Sequence, residues 1–231
     1  MTAKMPTRLT VVGALERPDH FHLHEQAKCY FWGEYTPYEH TDGEKWNFSP
    51  TNQLMSNLKK KMDRRGAADW RYKQDAIERV GRAFARLWKW EDILNKHRIV
   101  LVPIPPSKAR DDAMFDPRML QVLQAVARNL QTELDIRDCL SFSGRHGASH
   151  EADARPTPEQ LFLDLSFDAR VGDLENQPTH IFVFDDMLTS GAHFVAATRR
   201  LALHYPHATM IGNFVARRIL PNPFADLADD L

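Results

Sequence analysis

Cysteine is scarce. Cys29 and Cys139 are the only two in 231 residues, and they form no CxxC. That excludes a disulfide framework and a cysteine-rich zinc ribbon. Neither charge sign is in excess. Lys plus Arg number 30 and Asp plus Glu 31, for a formal net charge of −1. A protein that coats nucleic acid over its whole surface is excluded, and only a local basic patch stays open. No apolar run approaches the roughly 18 residues that span a bilayer, so no membrane partner is expected. The start, MTAKMPTRLTVVGALERPDH, lacks a long apolar core with a small-residue cleavage site and reads as mature sequence. None of the ten glycines is followed by lysine, which removes the P-loop. Repeats and low-complexity tracts are absent. What remains is 43% hydrophobic and 26% charged, ordinary globular composition. The expectation is a cytoplasmic protein of one domain, or of one domain with a large extension.

Composition changes near residue 97. All five tryptophans (Trp32, Trp46, Trp70, Trp88, Trp90) precede it, and the β-rich apolar runs mostly follow. Up to about Thr51 the chain is aromatic and reads as irregular. Ser49-Pro50 looks like an N-cap with proline at the first helical position. Leu54, Leu58 and Met62 continue a helix to about Arg65. Ile77, Val80, Phe84, Leu87 and Trp88 make the apolar stripe of a longer helix over 68–94. Beyond it, RIVLVPI (98–104) and HIFVFDD (180–186) are continuous apolar runs, as expected of strands buried on both faces. Helices are expected around Met119–Val126 and over 192–204. Further strands are expected over 136–142, 160–165 and 209–215, with a long polar loop at 143–158. The tail, PNPFADLADDL, is acidic and reads as loosely held. Strands alternating with helices predict an α/β fold with a mostly parallel central sheet flanked by helices. The division expected is 1–97, an aromatic and helical extension that serves as hood or partner surface, and 98–231, the α/β domain.

The segment richest in chemistry is IFVFDDMLTSGAHF (181–194). Asp185 and Asp186 end a buried strand, and Thr189-Ser190-Gly191 lead into a helix. Ligands of open α/β sheets bind beyond the carboxyl ends of strands. A loop over 189–193 would aim N–H groups outward at a helix N-terminus, which is a phosphate site. Gly191 permits close backbone approach. Paired carboxylates repel phosphate but accept hydrogen bonds from a diol. A diol beside a phosphate describes a ribose 5-phosphate.

On these residues the sequence resembles the type I phosphoribosyltransferases, whose motif for phosphoribosyl pyrophosphate (PRPP) has four hydrophobics, two acidic residues and a Thr/Ser-Gly loop. The resemblance implies the type I fold and roles residue by residue. Asp185 and Asp186 would hold the ribose hydroxyls. Thr189, Ser190, Gly191, Ala192 and His193 would cradle the 5-phosphate, with His193 standing where the family often has threonine. VLVPIPPSKAR (100–110) resembles the family's first strand and pyrophosphate loop, with Pro106, Ser107 and Lys108 meeting the pyrophosphate and Arg110 a weaker candidate. The proline-rich loop, with RPTPEQ (155–160), is similar to the ComF-like branch. The catalytic set implied is Asp185, Asp186 and Lys108. Mg²⁺ is the implied cofactor, held by PRPP and water with no direct protein ligand. Arg145, His146 and His150 fall where the family has a mobile flap. PRPP and a nitrogen nucleophile of unknown identity are the implied partners, and a homodimer is left open. Thr189 cannot serve as a base, which argues against purine salvage of the kind that uses an acid there. The alternatives are a PRPP- or nucleotide-sensing regulator, and an accessory protein of DNA uptake or antiviral defence.

Two further patterns stand apart. His20, His22 and His24 would share one face of a strand and, with Cys29 nearby, form a metal site or nothing. LKKKMDRRGAADWRYK (58–73) is either a solvated helix face or a nucleic-acid contact.

Overall fold

The computed structural model describes residues 4–144, 156–172 and 177–220. Its central sheet has five strands: β1 (Thr10–Val11), β2 (Lys28–Tyr35), β3 (Ile99–Pro103), β6 (His180–Leu188) and β7 (Thr209–Arg218), in the order β1-β2-β7-β6-β3. Only β1 runs antiparallel. A small antiparallel pair, β4 (Leu140–Phe142) and β5 (Leu165–Phe167), lies apart from it.

The apolar runs behave as parallel strands must when both faces are covered. All five residues of β3 are buried. Along β6, Ile181 and Val183 face one core, and Phe182 and Phe184 the other. The first core is closed by α5 (Pro158–Asp164) and α7 (Ala192–Ala202), the second by α1 (Pro50–Leu58), α2 (Arg71–Leu87), α3 (Trp90–Lys96) and α4 (Arg118–Leu130). A four-residue helix, α6 (Ala169–Gly172), follows β5. Gly81 lets α2 and α4 approach closely, since a Cβ there would lie 2.4 Å from that of Ala125. Among the described residues no helix is long and apolar enough to cross a membrane.

The fold is α/β with a mostly parallel sheet between helices, but several elements differ from expectation. KCYFWGEY, read as irregular, is the strand β2, paired in parallel with β7. The sheet therefore draws two strands, β1 and β2, from the first 97 residues. The expected helix over 68–94 is two helices, broken after Leu87. There the Trp88 indole turns to Asn213 Oδ1 (2.9 Å) and that of Trp90 to Phe84 O (2.9 Å). Residues 160–165, expected as a strand, belong mostly to α5. Thr157, Pro158 and Gln160 form a capping box that starts this helix. Of the strand expected over 136–142, only Leu140–Phe142 forms, and Ile136 makes a single bridge to Leu101. The helix expected to reach Arg65 stops at Leu58.

Candidate functional site

Adjacent strands β3 and β6 send their following helices to opposite faces. α4 packs in one core and α7 in the other. Their C-terminal loops must diverge, which opens a crevice at a topological switch point. A cleft of about 190 Å³ occupies this place. Pro106 and Ser107 from the loop after β3, Arg118 from the start of α4, and Asp185, Asp186, Thr189 and His193 from the end of β6 onward line it.

The acidic pair is split in role. Asp186 is 5% exposed and fully engaged. Its Oδ2 accepts from Arg118 Nε at 2.6 Å and Nη2 at 2.5 Å, and Lys59 Nζ lies 3.3 Å from Oδ1. Arg118 Nη1 reaches on to Asp116 (2.6 Å), which also holds the buried Lys73 (2.7 Å). Five charges thus alternate in sign from Lys59 to Lys73. Burial opposes ionisation of Asp186, but Arg118 and Lys59 outweigh it and hold the carboxyl well below the usual carboxylate range. Arg118 stays charged because Asp186 and Asp116 outweigh its own desolvation.

Asp185 is half-buried and makes no ion pair among the described residues, Lys59 and Arg118 acting on it only from a distance. Its Oδ1 accepts the N–H of Asp186 at 2.7 Å, and among the described residues Oδ2 has no partner. Desolvation first, and then the charge of Asp186, push its pKa well above the carboxylate range. Asp185 is the carboxylate of the pair that is open to a ligand. His193 sits against Phe142 edge to face, ring centroids 5.9 Å apart. Burial pulls its pKa down to about 4, so it is a neutral imidazole at the cleft wall.

The loop after β6 is held from behind. The buried His20 bonds through Nδ1 to Thr189 O, and His22 N–H donates to Ser190 O at 3.0 Å. A trans peptide sets the C=O of one residue and the N–H of the next on opposite sides. With the carbonyls of Thr189 and Ser190 turned back to the 20–22 segment, the N–H groups of Ser190 and Gly191 point away from it. Gly191 has φ +90°, and a Cβ there would lie 2.9 Å from Leu23 side-chain carbons. Both the backbone angle and the close approach require glycine. Burial lowers the pKa of His20, so its Nδ1–H donates from a neutral ring while the buried Nε2 has no partner among the described residues. Replacing His20 by leucine leaves the Thr189 carbonyl without its donor, at a cost of about 1–3 kcal/mol. Asparagine, whose Nδ2 can take the place of Nδ1, should restore most of it. Denaturant midpoints of the two variants measure the difference.

The residues expected here divide clearly. Asp185, Asp186, Thr189, His193, Pro106 and Ser107 meet in the cleft. Gly191 lines a small recess beside it. Ser190 and Ala192 are buried and line neither the cleft nor the recess. Lys108 does not line the cleft. Arg110 is tied to Asp138 (2.6 Å) and to the carbonyls of Asp138 and Leu140, and so pins the loop. Arg145, His146, His150 and the acidic tail lie outside the described residues. The histidines do not form a strand face: Arg17–His20 is a 3₁₀ turn. Among the described residues no group of three or more His, Cys, Asp or Glu is placed to hold a metal. Asp116 and Arg118 carry no local sequence signal, and Lys59 and the loop-anchoring His20 stand in patterns that point to other roles. Neither a family model nor a curated protein matches the chain.

Proposed function

We propose that the cleft binds Mg-PRPP and that the chain is a phosphoribosyltransferase-type protein of the type I fold. In this reading it transfers phosphoribosyl to a nitrogen nucleophile and releases pyrophosphate. The observation that carries it is an open carboxylate, Asp185, beside a loop whose Thr189 and Ser190 carbonyls are turned back to the 20–22 segment, both at the switch point of the sheet. Asp185 accepts from a ribose hydroxyl. The N–H groups and the N-terminus of α7 hold the 5-phosphate. Ser107 lines the same cleft where the leaving pyrophosphate would lie, with Arg118 behind it, its guanidinium shared between Asp186 and Asp116. His193, neutral, neither repels the cationic ribosyl centre nor competes for the phosphate.

Mg²⁺ suits this donor set. Asp185 Oδ2 would accept from a water on the ion, whose other ligands would be supplied by the pyrophosphate and water. When bound, the ion neutralises the leaving group. Titration calorimetry with Mg-PRPP, and with ribose 5-phosphate alone, tests the reading. Saturable 1:1 binding of both is expected, and the absence of either would remove it. A second reading, a PRPP- or nucleotide-sensing protein without turnover, is favoured by one observation: both oxygens of Asp186 are already in ion pairs. Pyrophosphate release with a panel of nitrogen bases separates the two.

A further inference from the structure

Positive charge is concentrated in one stretch of a chain that is nearly neutral. Residues 59–89 hold eleven lysines and arginines against four carboxylates, a net charge of +7 in a chain of −1. An ordinary solvated face alternates signs and pairs them. Here three of the eleven are matched to carboxylates: Lys59 with Asp186, Arg64 with Asp69 and Lys73 with Asp116, a network that Arg118 closes from α4. Glu78 is taken by Arg128 of α4. That leaves Lys60, Lys61, Arg65, Arg71, Arg79, Arg82, Arg86 and Lys89 with no carboxylate partner among the described residues. All but Lys60 are exposed.

Their arrangement is linear. Residues 59–70 are not a helix face but a loop with two 3₁₀ turns, Met62–Arg64 and Ala68–Trp70. The buried Lys73 Nζ holds the carbonyls of Leu58 (2.7 Å) and Lys60 (2.9 Å), which sets the loop on the start of α2. Along α2, Arg71, Arg79, Arg82 and Arg86 fall on one stripe, with Asp75 the one acid among them. The stripe runs about 22 Å at 1.5 Å per residue. At its head Tyr72 gathers cations: Arg71 lies 4.9 Å and Lys60 5.7 Å from its ring centroid.

We infer that this loop and stripe bind a single-stranded nucleic acid along its backbone. A linear row of guanidinium groups outside any ion pair among the described residues, with one acid between them and the Tyr72 ring at its head, suits a linear polyanion that carries bases. A membrane surface fits less well, because a membrane-bound helix turns apolar residues outward. The apolar residues of α2, Ile77, Val80 and Phe84, are buried in the core. Lys59, next to Lys60 at the head of the stripe, lines the cleft, so a strand on this surface would reach the candidate site at that end. The inference goes beyond the PRPP reading and does not depend on it.

Fluorescence anisotropy of a labelled 20-nucleotide single strand, titrated with the full chain at several salt concentrations, tests it. The expected result is saturable binding whose log affinity falls with log salt at a slope near −3, as for about four phosphates. Arg65→Gln/Arg79→Gln/Arg82→Gln, all at exposed positions, should weaken binding at least tenfold and flatten the slope, with an unchanged thermal midpoint. Failure to bind at low salt overturns the inference. So does binding that the triple variant leaves intact, equal affinity for polyglutamate, or binding only to anionic vesicles. None of these outcomes bears on Mg-PRPP titration, so the two readings fail separately.

Discussion

Replacing Arg118 with alanine is expected to destabilise the fold by about 3–5 kcal/mol. The reason is the position of one guanidinium between two buried carboxylates. Asp186 and Asp116 are 5% and 7% exposed, and Arg118 bonds to both. Its removal leaves Asp186 with Lys59 at 3.3 Å and Asp116 with Lys73, two negative charges desolvated around a missing partner. For a chain of this length the loss corresponds to a drop in thermal midpoint of roughly 10 °C. Arg118→Lys keeps the charge but cannot span both carboxylates, so it should recover only part. The loss should also depend on pH. Asp186 has a depressed pKa in the folded state. Its ion-pair stabilisation is present above the ordinary carboxylate pKa of about 3.9 and disappears as pH falls through the folded value. The gap between wild type and Arg118→Ala should therefore narrow in strong acid. Chemical denaturation across pH measures it, and a cost below about 1 kcal/mol at neutral pH would show that the charge chain contributes little.

Asp185→Asn is expected to have the opposite signature. Under the proposed function, losing the charged acceptor for a ribose hydroxyl should weaken Mg-PRPP binding by about 1.5–3 kcal/mol, roughly 10–150-fold. Stability should rise at pH 8. The carboxylate is held near Asp186 with its pKa raised, so its charged form opposes folding, while an asparagine oxygen still accepts the Asp186 N–H. The pH profile gives a second test. Because its folded pKa is raised, Asp185 adds stability as pH falls from that value toward about 3.9. His193 and His20, whose folded pKa values are lowered, act in reverse. Their unfolded forms take up protons below about 6.5, so stability is lost on acidification. The two effects oppose each other in the wild type. Asp185→Asn removes one of them, and its stability should fall more steeply between pH 6.5 and 4. Unchanged affinity in a folded variant would remove Asp185 from the ligand site. A better-folded protein that binds worse would fit a site kept at some cost to stability.

The parts of this picture visible in the amino-acid order are those set by neighbours. The run Ile181–Phe184 is apolar without alternation, so both its faces must be covered, and the acidic pair and glycine loop after it follow by position alone. Ser49 and Pro50 mark the start of α1 in the same way. The capping box at Thr157 was equally local, and only the apolar Leu161–Leu163 stretch beside it suggested a strand. β2 carried no such mark: aromatic residues interrupted by Gly33 fit a strand or an irregular segment, and its pairing with β7 decides between them. The charge chain was out of reach for a further reason. Arg118 lies 68 residues and Lys59 127 residues from Asp186, and His20 is 169 residues from Thr189. Each reads locally as one more polar residue, and only the folded sheet brings them together.

The place of β2 at the side of β7 has a bearing on how the chain is made. Residues 183 apart in the chain meet there, as Arg217 and Glu34 do. β2 leaves the ribosome early, yet the strand it pairs with is synthesised only after β3 and β6. At roughly 5–20 residues per second, about 10–40 s separate the two. Through that interval an aromatic strand has both edges open apart from the two-residue β1, a template for pairing with other nascent chains. Production of this protein should thus depend on translation speed and on chaperones that bind extended apolar segments, more than its finished stability would suggest.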